Sequence, residues 1–146
     1  MQLISDYMNN DHKHCDAAFA RAEDMAAAGD WSGLERDGGT FLREMERHIG
    51  LEEKLLFPAF EEKTGMASGP TDTMRMEHQQ MRGLFAQMRA AIEAKDAEQY
   101  LGIAETLLIL LQQHNMKEES MMYPMLDQSL GDDAHSLLTQ LESIAV

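Results

Sequence analysis

His48-Ile-Gly-Leu-Glu-Glu-Lys-Leu-Leu-Phe-Pro58 and His114-Asn-Met-Lys-Glu-Glu-Ser-Met-Met-Tyr-Pro124 are the same pattern written twice, 66 positions apart. Each opens on His-x-x-x-Glu, the spacing that puts an imidazole and a carboxylate one above the other on a helix face. Working outward, Asp11-His12 matches Glu77-His78 and Phe19-Ala20 matches Phe85-Ala86 at the same offset. The chain therefore reads as an internal two-fold repeat, with halves at about 4–63 and 70–124 and a tail over 125–146. The repeat carries two sets of residues, His12, His48 and Glu52 in one half and His78, His114 and Glu118 in the other, and every member of these sets is a potential metal ligand. Four imidazoles and two carboxylates meeting around a pseudo-two-fold axis suit a pair of iron-like ions better than one zinc.

The periodicity predicts an all-α fold. Ile4, Met8, His12, Cys15, Phe19 and Ala26 form the stripe of a first helix, with Ser5 as its expected N-cap and Gly29 as its stop. After Asp30 a second helix carries Phe41, Met45, His48, Glu52, Leu55 and Ala59, weakened at Gly38-Gly39 by about 1 kcal/mol per glycine. Pro58 should kink it, because the ring removes the bond to the Lys54 carbonyl. The stretch from Thr64 to Pro70 is the central break. Thr71 should cap a third helix with Met74, His78, Met81, Phe85, Met88 and Ile92 in line, and Asp96 a fourth with Leu107, Leu111, His114, Glu118 and Met121. Asp132 to Val146 reads as a short amphipathic tail helix. Strand signals are nearly absent, and short connections near Gly29 and Lys95 make an up-down-up-down antiparallel four-helix bundle the economical architecture.

Axial arithmetic supports the meeting of the histidines. His12 and His48 each lie 16 residues from their shared turn, and so do His78 and His114 from theirs. At 1.5 Å per residue that is ~24 Å, one common level. Burying four imidazoles and two carboxylates without partners costs several kcal/mol, which a bound cation offsets.

Length and charge bound the rest. With 146 residues, a single domain over 1–146 with a core of its own is expected. A net charge of −14 disfavours nucleic acid and anionic membranes as partners. The lone cysteine, Cys15, excludes an intramolecular disulfide, no signal region opens the chain, and a cytoplasmic location is expected. No P-loop, GxGxxG or Ser-His-Asp set offers another chemistry. His14, turned ~200° from His12, should face solvent, and His135 lies outside the repeat. Cys15 and the methionines Met8, Met45, Met74, Met81 and Met121 read as core filling. Glu53 and Glu119, repeated but turned past the ligand glutamates, are open between a solvated face and support of the ligands.

The combined array of a first-helix histidine, His-x-x-x-Glu, a Glu-His pair and His-Asn-Met-Lys-Glu-Glu resembles hemerythrin-like proteins, the His-His-Glu cation-binding group, from about Ile4 to Pro124. The resemblance implies a non-haem di-iron site, two iron ions bridged by Glu52 and Glu118 and by an oxo or hydroxo group, with His12, His48, His78 and His114 as terminal ligands. It also implies binding of dioxygen or a relative such as nitric oxide or peroxide. Oxygen-carrying members have a fifth histidine on the third helix, where this chain has Met74 and Arg82 on either side of His78. Carriage or sensing therefore stands beside a peroxide-decomposing or nitric-oxide-related enzyme, an iron-repair donor, and plain iron storage. No receptor, ubiquitin-ligase or kinase segment is appended, so a fused sensor is not expected.

Overall fold

The computed structural model describes residues 2–144, and these are all-helical, without strands. The helices are α1 (Ile4–Ala28), α2 (Trp31–Leu51), α3 (Phe57–Thr64), α4 (Pro70–Glu93), α5 (Ala97–Lys117), α6 (Tyr123–Leu130) and α7 (Ala134–Ile144). They form a helical bundle in which α1 packs along α2, and α4 along α5. Among the described residues no helix is long and apolar enough to cross a membrane.

Local chemistry sets the ends. Asp30 and Asp96 are N-caps, their carboxylates accepting the Gly33 and Gln99 amides at 2.9 and 3.0 Å. Gly29 and Gly65 close α1 and α3 in the left-handed conformation. Two expected caps lie elsewhere. Ser5 is inside α1 and its hydroxyl binds Asp127, while Asp6 accepts the Leu3 amide at 3.0 Å. Thr71 is inside α4, which begins at Pro70 where the missing N–H costs nothing, and its hydroxyl donates to Glu61 at 2.6 Å. A buried threonine with a carboxylate in reach satisfies its hydroxyl there rather than at the helix end.

Between α2 and α3, and again between α5 and α6, the chain does not simply kink. It winds through five-residue π-helical turns, Glu52–Leu56 and Glu118–Met122, in which the Phe57 and Tyr123 amides donate to the carbonyls of Glu52 and Glu118. Each turn is followed by a proline, Pro58 or Pro124. One extra residue per turn relieves the clash a proline ring makes with the carbonyl four residues earlier. It also shifts the helical phase. Leu56 and Met122 are fully buried, Leu55 and Ala59 only partly, and Met121, expected in the core, is 48 % exposed. Ile92 likewise is only partly buried.

Gly38, a poor helix former by propensity, sits where α2 and α4 touch; a Cβ there would lie 2.9 Å from Ile92 Cδ1. The apolar interior forms two clusters. One holds Phe19, Phe41 and Phe85 in edge-on contact with Met81, Met88 and Leu107. The other holds Ile4, Met8, Leu51, Phe57, Met74 and Leu126, and is closed by Leu137, Leu138 and Leu141 of α7. The expected tail helix thus starts at Ala134 after a short 3₁₀ turn, Gly131–Asp133, and its last expected residues, 145 and 146, lie outside the described residues.

Candidate metal centre

Among the described residues, every buried histidine and every buried acidic side chain except Asp11 belongs to one group of six: His12, His48, Glu52, His78, His114 and Glu118. They divide into two four-residue groups whose donor atoms lie within 4.8 Å of one another, His12, His48, Glu52 and Glu118, and Glu52, His78, His114 and Glu118. The two carboxylates belong to both. Glu52 Oε2 is 3.3 Å from His48 Nε2 and Oε1 is 2.9 Å from His78 Nε2, so one carboxylate reaches both groups. Glu118 does the same, 2.9 Å from His12 Nε2 through Oε1 and 3.2 Å from His114 Nε2 through Oε2.

Each imidazole presents Nε2 to the centre and spends Nδ1 on an outer carboxylate at 2.7 Å: His12 on Glu119, His48 on Asp11, His78 on Glu53 and His114 on Glu77. With the Nδ1 proton donated outward, the tautomer leaves the Nε2 lone pair free for a cation, the arrangement that orients and strengthens metal-binding histidines. Glu53 and Glu119 are thereby resolved as partners of the inner histidines. They come from the opposite half of the chain, which is why spacing along one helix leaves their role open. Three of the four outer carboxylates carry a cation behind them: Arg47 on Asp11 at 2.9 Å, Arg82 on Glu53 at 3.0 Å, and Lys117 on Glu77. Arg82 therefore faces Glu53 and Glu46, not the centre.

Electrostatics follow from these contacts. Burial opposes charge on Asp11, Glu53 and Glu77, yet hydrogen bonds from His48 with Arg47, Arg82 with His78, and Lys117 with His114 hold all three below the ordinary carboxylate range. Burial opposes charge on His114 too, but Glu118, Glu52 and Glu77 raise it to about 9, and His48 is raised well above its usual value by Glu52, Asp11 and Glu118. The inner carboxylate of Glu118 is held well below the ordinary range despite its burial. The donor set thus calls for positive charge at its centre.

Three buried atoms at that centre, Glu52 Oε1, His78 Nε2 and Glu118 Oε2, have no hydrogen-bond partner. Glu52 Oε1 and His78 Nε2 approach to 2.9 Å without hydrogen-bond alignment, as expected of lone pairs aimed at a common third point rather than at each other. Unpaired buried polar atoms are costly unless a cation takes their lone pairs, so the residues fit a metal.

Tyr123, which sequence reading passes over, completes the centre. Its buried hydroxyl donates to Glu52 Oε2 at 2.6 Å, and lies 2.9 Å from Glu118 Oε1 and 3.1 and 3.2 Å from the Nε2 atoms of His12 and His48. The available signal was Tyr123 aligned with Phe57, the one place near the motif where a polar ring replaces an apolar one. His14 is exposed on α1, His135 is exposed at the start of α7, and Cys15 is buried and free. Burial pushes the Cys15 thiol up to about 12.

A helical bundle enclosing a buried, carboxylate-linked histidine cluster defines a cation-binding protein class. Residues 3–126 match the family described as hemerythrin, the hemerythrin HHE cation binding domain, and the chain belongs to that family. No curated protein and no solved structure gives a significant match.

Proposed function

We propose that this protein is a non-haem di-iron protein of hemerythrin type that binds or senses dioxygen or a related small oxidant, nitric oxide or peroxide. The observation that carries the reading is the sharing of Glu52 and Glu118 between two histidine pairs, because a carboxylate with one oxygen in each group is built to span two cations. In this reading His12 and His48 hold one iron, His78 and His114 the other, and both glutamates bridge. The mixed nitrogen and oxygen set, without thiolate, favours iron over softer metals. A pair of ferrous ions supplies electrons to dioxygen or its relatives. The chain's own part is to hold four imidazoles rigid through Nδ1 and to keep bulk water out with two apolar clusters.

The same reading takes the bundle as up-down-up-down and as an internal duplication in one domain. Two π turns, two following prolines and two sets of Nδ1 partners at the 66-residue offset support it. The proposed setting is the cytoplasm.

A second role, a peroxide- or nitric-oxide-consuming enzyme or an iron donor, is favoured by the number of imidazoles. Four converge, Met74 occupies one flanking position on α4, and Arg82 is committed to Glu53. Metal content together with visible spectra of reduced protein, before and after dioxygen, peroxide and nitric oxide, tests these roles. A reversible oxygen band supports carriage, catalytic peroxide loss supports an enzyme, and iron release to an acceptor supports repair. One zinc per chain and no iron after iron-replete expression overturns the di-iron assignment.

A further inference from the structure

The two histidine pairs are not equivalent, and the difference lies in one oxygen atom. Around His12 and His48, the Tyr123 hydroxyl stands within 3.2 Å of both Nε2 atoms and within 2.9 Å of Glu52 and Glu118. It therefore lies among the four donors of that group. At the matching place beside His78 and His114 stands Phe57, whose ring stacks on His78 at 6.0 Å with only 8° between the planes. A phenyl ring offers no donor. The three atoms of the centre without a hydrogen-bond partner, Glu52 Oε1, His78 Nε2 and Glu118 Oε2, are all on this Phe57 side.

The crowding around Tyr123 sharpens the contrast. Its hydroxyl donates to Glu52 at 2.6 Å, yet Glu118 Oε1 and the Nε2 atoms of His12 and His48 also stand within 3.2 Å of the same oxygen. A hydroxyl has a single proton to share, whereas a cation seated among these atoms takes all four and the phenol oxygen as ligands.

Resting on the di-iron reading, we propose that Tyr123 is a fifth donor to the iron at His12 and His48, and that the exogenous small molecule binds the iron at His78 and His114. On binding iron the phenol releases its proton to solvent and its oxygen forms the bond, so the coordination neutralises one further positive charge on that ion alone. The His12/His48 position is thereby closed to a small anion. The His78/His114 position, walled by Phe57, keeps a place for one.

The test uses the full chain loaded with iron and oxidised, with azide as the probe. Elemental analysis should give about two irons per chain, and a ferric ion bound by phenolate should add a visible charge-transfer band with tyrosinate vibrations in its resonance Raman spectrum. Tyr123→Phe should retain both irons, lose that band, and raise the azide stoichiometry from about one to about two per chain. Phe57→Tyr, the reciprocal change, should strengthen the band about two-fold and weaken azide binding at least ten-fold. Two irons per chain with no tyrosinate signal, or with the same signal and azide count in Tyr123→Phe, overturns the assignment of Tyr123 while leaving the di-iron reading standing. Fewer than two irons in the parent overturns both.

Discussion

His12 and Glu119 meet at 2.7 Å, and among the four outer carboxylates of the described residues Glu119 is the one with no cation behind it. Its side chain is 45 % exposed, against 8 % for Asp11, and it lines a groove of ~700 Å³ between α1 and α5 together with Asp16, Phe19 and Leu111. A solvated carboxylate holds its partner less firmly than a buried one braced by an arginine, because water competes for the same proton. Removing an outer partner typically costs 10–100-fold in metal affinity. Asp11→Asn should fall at the upper end of that range and Glu119→Gln at the lower. Equal losses in competition with a chelator would show that bracing by Arg47 contributes nothing.

Glu52 reaches both histidine pairs, whereas His14 is exposed on the outer face of α1. Glu52→Ala should lower iron content at both positions, and His14→Ala should leave it at the parental level. Elemental analysis of the two purified variants decides this; similar losses in both sink the bridging role.

Metal removal should destabilise the fold. Binding to the native state alone adds RT ln(1 + [L]/Kd), about 4 kcal/mol at a thousand times Kd. Thermal melts with and without chelator should therefore differ by several degrees or more, since 1 kcal/mol is worth ~2–8 °C for chains in this size range. Superimposable curves would contradict a buried centre.

Cys15 is 4 % exposed, and burial pushes its thiol up to about 12. A raised thiol pKa leaves only about one part in 10⁴ as thiolate at pH 8, so alkylation by iodoacetamide should be negligible in the native protein and rapid once it is unfolded. Reactivity should climb only as the pH approaches 12 or as the chain unfolds. Stoichiometric labelling at pH 8 under native conditions, read by mass spectrometry, would refute this.

Gly83 in α4 and Gly102 in α5 lie inside helices with open space where a Cβ would stand. Gly83→Ala and Gly102→Ala should each stabilise the protein by about 0.5–1 kcal/mol, by restricting the unfolded chain and favouring helix. Denaturant midpoints that fall in either variant would show a constraint that the local packing does not reveal.

From the sequence alone came the helical class, the six converging residues, the cap Asp96, and the exposed His14. Each is a matter of local periodicity or of spacing between residues 66 apart, and 3.6 residues per turn carries that information without knowledge of the partner helix. Tertiary structure alone decided the rest. An α-helix would turn Tyr123 about 140° away from Glu118, five residues earlier, and Met121 toward the core. The π turn brings Tyr123 onto the face of Glu118 and swings Met121 outward, and it forms because Pro124 follows in a packed bundle. Likewise Asp11, Glu53, Glu77 and Glu119 hold histidines of other helices, at 25 to 107 residues' distance along the chain. No period along one helix encodes such a contact; it exists only because packing brings the helices to one level and one phase.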